Sequence, residues 1–278
     1  MSWVAVAKKD FQDAVRSKAL WGVSAIFLLF ALGTTYAYVQ FPDVLAGGEG
    51  SGLGLALYLS SVAGLFVSLT AILVAYKSLA GERESGSIKL LLGLPHTRTD
   101  VVLGKVIGRS GVLTVPVLVA FLLAGVYAAT SLDPFGVADY LIFVLMTLVL
   151  VVAYVCVVVG ISATTGSTSR VSALAIGFFL LFELIWSAVT FGIAYVANGF
   201  ALPTTTPDWM FVVNQIPPSS AYGTSLFAVI PDAMETGNAA FSQFDAFYAT
   251  PWFGVVVLAF WIVVPLALGV QRFKHADL

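Results

Sequence analysis

The residues able to do chemistry in this chain are few and concentrated. The densest set is Glu82-Arg83-Glu84-Ser85-Gly86-Ser87-Ile88-Lys89-Leu90-Leu91-Leu92, inside a charged stretch running from Lys77 to Arg109. Ser87 can cap a short helix from Ile88 to Leu92, and Gly93 and Pro95 would stop it. Ile88, Leu91 and Leu92 then share one face, suited to docking on another surface. The second feature is Glu183, the single ionisable group deep within an apolar run. A carboxylate near a bilayer centre costs about 2.5–3.5 kcal/mol on insertion scales, so it must face protein or water, or carry a proton. Thr147, Tyr154, Ser172 and Ser187 are available hydroxyl partners. A pathway or interface carboxylate and a neutral packing residue are both open readings.

Other chemistry is missing from the sequence. Gly104-Lys105 is followed by Val106 and lacks the earlier glycine of a phosphate-binding P-loop. The two histidines, His96 and His275, fall outside any metal-ligand spacing, and no nucleophile–base pattern stands out. A lone Cys156 excludes an intrachain disulfide framework and a cysteine zinc site. These residues predict no enzyme activity, no bound metal and no cofactor in this chain.

The elements that position these groups follow from composition. Of the 278 residues, 59% are hydrophobic and 10% charged, against about a quarter charged in soluble proteins. Mean hydropathy is +0.98, too apolar for a water-soluble globule. A soluble enzyme, a disordered regulator and a nucleic-acid-binding domain are all disfavoured. Six apolar runs are each long enough to cross a bilayer as a helix, at about 19–41, 53–76, 110–131, 140–163, 171–197 and 250–271. They are continuously apolar rather than alternating, which argues against barrel strands. The predicted fold is all-α, a polytopic integral membrane protein with six transmembrane helices, forming a single domain over 1–278. Pro116 and Pro265 should kink the third and sixth spans. Gly52, Gly54, Gly64 and Gly254 are candidates for close helix contacts.

Charge fixes the orientation. Six spans place both termini on one side, and all 13 Lys and Arg fall there, with six acids. The other side holds eight acids and no base. By the positive-inside rule the basic side, with both termini, is cytoplasmic. Residues 1–18 carry Trp3, Val4, Ala7, Phe11, Ala14 and Val15 at helical spacing, with Lys8, Lys9, Asp10, Asp13 and Arg16 between them. This predicts an amphipathic helix lying in the cytoplasmic interface. Thr99 should cap a helix that runs directly into the third span. The segment 198–249 reads as an extracytoplasmic loop with one or two short helices, Ser219 to Ile230 being apolar enough for a re-entrant one.

The Glu82–Leu92 pattern, followed by Pro95, Arg98 and Lys105, resembles the signature of ABC-2 type transporter permeases. Lys9-Asp10-Phe11 before a basic Arg16-Ser17-Lys18, and the basic-aromatic tail from Arg272, are similar to that family's two ends. Ile216-Pro217-Pro218-Ser219-Ser220-Ala221-Tyr222 is similar to an N-P-x-x-A-Y element of the branch that includes nitrous-oxide-reductase maturation permeases, with Ile216 in place of the Asn. The resemblance implies a plasma-membrane permease working as a homodimer. A separate cytoplasmic ATPase subunit would hold the ATP, and no nucleic acid would be involved. Residues 1–18 would be its elbow helix, and Ser87–Leu92 the coupling helix between spans two and three. Glu82, Arg83, Glu84, Gly86, Ser87, Ile88, Leu91 and Leu92 would carry ATPase coupling. The expected activity is export of an apolar or amphipathic cargo, or a copper- or maturation-related cargo by the branch resemblance. The competing reading is a stand-alone ion- or proton-coupled carrier using Glu183.

Overall fold

The computed structural model describes residues 3–46, 50–93, 97–201, 207–241 and 248–276. Pro95, His96 and Pro203 lie outside them. The described residues form helices joined by turns, with no strand among them. In chain order these are α1 (Trp3–Val15), α2 (Lys18–Gln40), α3 (Pro42–Leu45), α4 (Gly52–Ala75), α5 (Ala80–Glu84), α6 (Ser87–Leu92), α7 (Arg98–Ser131) and α8 (Val137–Thr164). Then follow α9 (Thr168–Phe179), a π-helical segment (Leu180–Ile185), α10 (Trp186–Ala197), α11 (Asp208–Asn214), α12 (Pro218–Val229), α13 (Pro231–Phe241) and α14 (Trp252–Lys274).

Six helical units are long and apolar enough to cross a membrane: α2, α4 with α5, α7, α8, α9 through α10, and α14. A continuous helix satisfies its own backbone groups, which lipid cannot do. The third unit is a single helix of 34 residues. Its start differs from expectation. Thr97, not Thr99, is the cap: its side chain accepts from the Asp100 amide while Asp100 Oδ2 accepts from the Thr97 amide at 3.1 Å. The reciprocal box needs an acid three residues after the cap, and Thr99 has Val102 there.

The buried centre is α8, which packs against α4, α7, α9, α12 and α14. Phe121 of α7 meets Phe143 of α8 edge-on at 5.1 Å, and Phe30 stacks on Phe66 at 4.2 Å. The α8–α14 crossing is made by glycines: a Cβ at Gly269 would lie 2.7 Å from the Gly160 Cα. Pro265, inside α14, sits at the same crossing. Gly64 of α4 abuts Ser219, and Gly254 of α14 abuts the α12 backbone. With 12 residues α12 is too short to cross a bilayer, yet it inserts between α4, α8 and α14. Its Tyr222 is fully buried and its hydroxyl pairs with Thr147 of α8 at 2.7 Å.

The first helix does not lie free. It packs along the basic half of α7, where Gly104 and Gly108 leave room for Val6, Ala7 and Asp10. Asp10 is 3% exposed, so it does not belong to a solvated polar face as its spacing suggested. The ends of α4, α8 and α14, the starts of α7 and α9, and α1 all meet at one end of the bundle, hereafter the basic end. The starts of α4 and α8 meet at the opposite, acidic end, where the Gly52 amide donates to Pro134 O.

Candidate functional site

The site at the basic end begins with a helix break. After α4 the chain turns at Tyr76–Leu79 and restarts as α5. Such a break leaves backbone groups unpaired, and Ser162 of α8 takes them up. Its hydroxyl accepts from the Leu79 and Ala80 amides at 3.2 and 3.0 Å and donates to Tyr76 O at 3.0 Å. One side chain thus stitches the α4–α5 junction to the centre of the fold.

The three charges of α5 then diverge, each to a different helix. Glu82 receives the Lys105 ammonium of α7 at 2.6 Å. Arg83 donates to Ala163 O at the end of α8 at 3.3 Å. Glu84 accepts from the Thr168 amide in the first turn of α9 at 3.1 Å, a placement in which a carboxylate also meets the positive helix end. Lys105 continues the chain of contacts to Asp10 of α1 at 2.8 Å, and Arg109 holds the same carboxylate with Nε at 2.8 Å and a terminal nitrogen at 3.0 Å. Arg109 also donates to Val74 O of α4 at 2.9 Å. Two acids and two bases therefore balance in a nearly dry pocket joining α1, α4, α5 and α7. Arg98 completes the end by donating to Phe273, Lys274 and Ala276 carbonyls, which closes α14 onto the start of α7.

Gly86 connects α5 to α6 with φ +76°. Nothing lies within 4 Å of where its Cβ would be, so the left-handed backbone, not crowding, calls for glycine there. Ser87 is the first residue of α6 and does not cap it; its hydroxyl turns back to Glu82 O and Ser85 Oγ. The apolar face of α6 also differs from expectation. Ile88 is 1% exposed, and it and the half-buried Leu91 and Leu92 pack onto this chain's own core. The side turned outward carries Ser87, Lys89 and Leu90, the last 80% exposed. Periodicity identified an apolar face correctly but does not say what covers it. Asp10, Lys105, Arg109 and Ser162 are the site residues that the spacing alone missed. Asp10 and Lys105 were visible only as parts of the family-like pattern, and nothing local marks Ser162.

Glu183 lies in the π-helical segment, part-buried against α8. It accepts a hydrogen bond from the Tyr154 hydroxyl, and Ser219 at the start of α12 lies close to it. Of the four hydroxyls considered, only Tyr154 is its partner; Thr147 bonds Tyr222, Ser172 bonds Thr168 O, and Ser187 lends its carbonyl to Thr190. Ser219 lies 36 residues away in sequence, beyond any local signal. The segment before α12 is held from two sides: Trp186 Nε1 donates to Val213 O at 2.8 Å and Trp261 Nε1 to Ile216 O at 2.7 Å. Among the described residues no cluster of His, Cys, Asp and Glu could hold a metal ion.

Comparison with known proteins agrees with this architecture. The probable ABC transporter permease protein NosY of Pseudomonas aeruginosa is 27% identical over 220 residues, covering 75% of this chain and 76% of that protein. Its counterpart in Stutzerimonas stutzeri, with the same description, is 26% identical over 227 residues with the same coverage. The family described as ABC-2 family transporter protein matches residues 4–278. A match of that extent, on six apolar helices with the Glu82–Leu92 junction between the second and third, places this chain in the ABC-2 transporter permease family.

Proposed function

We propose that this chain is the membrane subunit of an ABC exporter, driven by ATP hydrolysis on a separate ATPase subunit docked at the basic end. In this reading the basic end and both termini are cytoplasmic, in the plasma membrane, and two copies of the chain form the permease. The α6 helix is the ATPase's contact, through Lys89, Leu90 and Ser87. The carrying observation is the divergence of Glu82, Arg83 and Glu84 to α7, α8 and α9. A push on α6 would reach three spans through α5 without passing through a flexible loop. The relatives' description as ABC transporter permeases supports the same assignment.

The copy-to-copy contact falls on the fifth unit, of which only 11% is buried within one chain. Leu174, Leu181, Leu184 and Phe191 stand exposed along it. From Val171 to Ala197 the one Asp, Glu, Lys or Arg is Glu183, which Tyr154 meets, so a second apolar helix can cover that stretch. The cargo is amphipathic, with its apolar part passing along spans lined by Phe, Leu and Val. Co-purification with an ATPase subunit and transport in proteoliposomes test the reading. Glu84→Ala combined with Gly86→Ala should uncouple ATP turnover from transport. Unchanged ATPase stimulation and transport in that variant would overturn the coupling assignment.

A further inference from the structure

Where α1 turns into α2, a cavity of about 490 Å³ opens between α1, α2 and α7. Phe11 and Val15 close it on the α1 side, Leu20 and Leu28 on the α2 side, and Val115 and Val119 on the α7 side. Two side chains in the lining carry polar atoms. The Ser24 hydroxyl donates to Leu20 O at 2.8 Å, and Trp21, 72% exposed, stands near the start of the span, where indoles favour the membrane interface. The rest of the lining is hydrocarbon, so a polar group placed there would go unpaired and the buried part of any occupant is apolar.

The depth of the cavity narrows the occupant further. The first span begins at Leu20, and Leu28 lies about 12 Å further along it at the helical rise. That ends just short of the middle of a hydrocarbon core about 30 Å thick. The cavity thus spans one leaflet, from the basic end inward, which is the reach of one acyl chain. Three helices wall it, so a chain inside is held on more sides than lipid lying against a convex helix. Its mouth is basic. Arg16 and Lys18 stand exposed in the turn between Val15 and Leu20, and Lys8 and Lys9 are exposed on α1. None of the four makes an ion pair among the described residues. Asp10 is taken by Lys105 and Arg109, so Asp13 is the one exposed acid of residues 3–18 set against them.

We propose that this cavity holds one acyl chain of an anionic phospholipid, with Arg16 and Lys18 on its headgroup phosphate. Hydrocarbon at leaflet depth and uncompensated positive charge at headgroup level meet at one place, and a lipid of net negative charge satisfies both. The assignment stands whether or not an ATPase docks at the basic end.

The full chain is placed in phosphatidylcholine nanodiscs with a minor share of phosphatidylglycerol or phosphatidylcholine whose chains are brominated near the headgroup. Trp21 lines the cavity, so bromine quenching of its fluorescence, taken as the difference from Trp21→Phe, reports occupancy. Quenching should favour phosphatidylglycerol about fivefold or more, since each base near an anionic headgroup is worth about that factor. Arg16→Gln combined with Lys18→Gln, both at exposed positions, should remove the preference. Ala25→Phe, from an exposed position in the lining, fills the cavity and should remove it with every charge in place. Soluble glycerol phosphate, which has no chain, should not displace the brominated lipid, and brominated oleate, a single-chain carboxylate, should quench less than phosphatidylglycerol. Equal quenching by the two phospholipids, or a preference that survives Ala25→Phe or the double charge variant, overturns the proposal. Displacement by glycerol phosphate, or stronger quenching by oleate, overturns it as well.

Discussion

Replacing Lys105 by Met keeps the length and stem of the side chain and removes its charge. Lys105 is 4% exposed and lies between Asp10, 3% exposed, and Glu82. Arg109 remains on Asp10 in the variant, so the stranded charge is Glu82, whose side chain is 18% exposed. Breaking a fully buried pair by removing one partner costs about 3–5 kcal/mol. With one anion still covered and the other partly wet, the lower limit of about 3 kcal/mol applies. Adding Glu82→Gln removes the stranded charge, so the double variant should be more stable than the sum of the singles predicts, by about 1–3 kcal/mol of coupling. Equilibrium unfolding in mixed micelles gives the four stabilities of the cycle. Limited proteolysis between α1 and α2 reports whether α1 has come off α7. A Lys105→Met loss below about 0.5 kcal/mol, the range of ordinary surface changes, would refute the view that this cluster holds the basic end together. Strict additivity with Glu82→Gln would refute the direct pairing.

Gly86→Ala should destabilise the α5–α6 turn by about 1–2 kcal/mol through the left-handed backbone alone, and Gly86→Asn by less; unfolding midpoints of the two variants check the order. Ser162→Ala leaves the Leu79 and Ala80 amides without their acceptor and should cost about 2 kcal/mol or more, seen as faster amide exchange across 77–84. Gly104→Leu puts a Cβ 2.6 Å from the Val6 Cβ and should expel α1 from α7, read as protease cleavage within residues 3–15. Gly111→Ala, whose Cβ would meet Phe11 at an ordinary 3.4 Å, should leave the cleavage pattern unchanged.

The transmembrane architecture was legible because its cause is local. Twenty apolar residues in a row have no other stable form in lipid, and the six runs read from the sequence correspond to six helical units. The Glu82–Leu92 segment stood out because three charges, a glycine and an apolar triplet have a recognisable order. What those charges touch was not legible. Glu82 meets a lysine 23 residues away, and Arg83 and Glu84 meet backbone groups about 80 residues on, which no spacing rule reaches. The inward turn of Ile88 was hidden for the same reason: an apolar face looks alike whether its own core or a partner covers it. Asp10 illustrates the reverse error. Its position directly after two lysines suggested solvent, but Gly108 on α7 leaves space for it beside two bases.

The π-helical segment has a consequence for how this span tolerates insertions. Val171 and Ala175 are the buried positions of α9, and Thr190 and Ala194 those of α10, in each case 19 residues later. In an uninterrupted α-helix 18 residues complete five turns, so a 19-residue interval would rotate the second pair about 100° away from the first. The wide turn at Leu180–Ile185 absorbs the supernumerary residue. Both halves therefore keep one inward stripe, and the extra length is spent where Glu183 projects toward Tyr154 and Ser219. Deleting one residue there would leave the packing phase of α10 intact and misdirect the carboxylate alone.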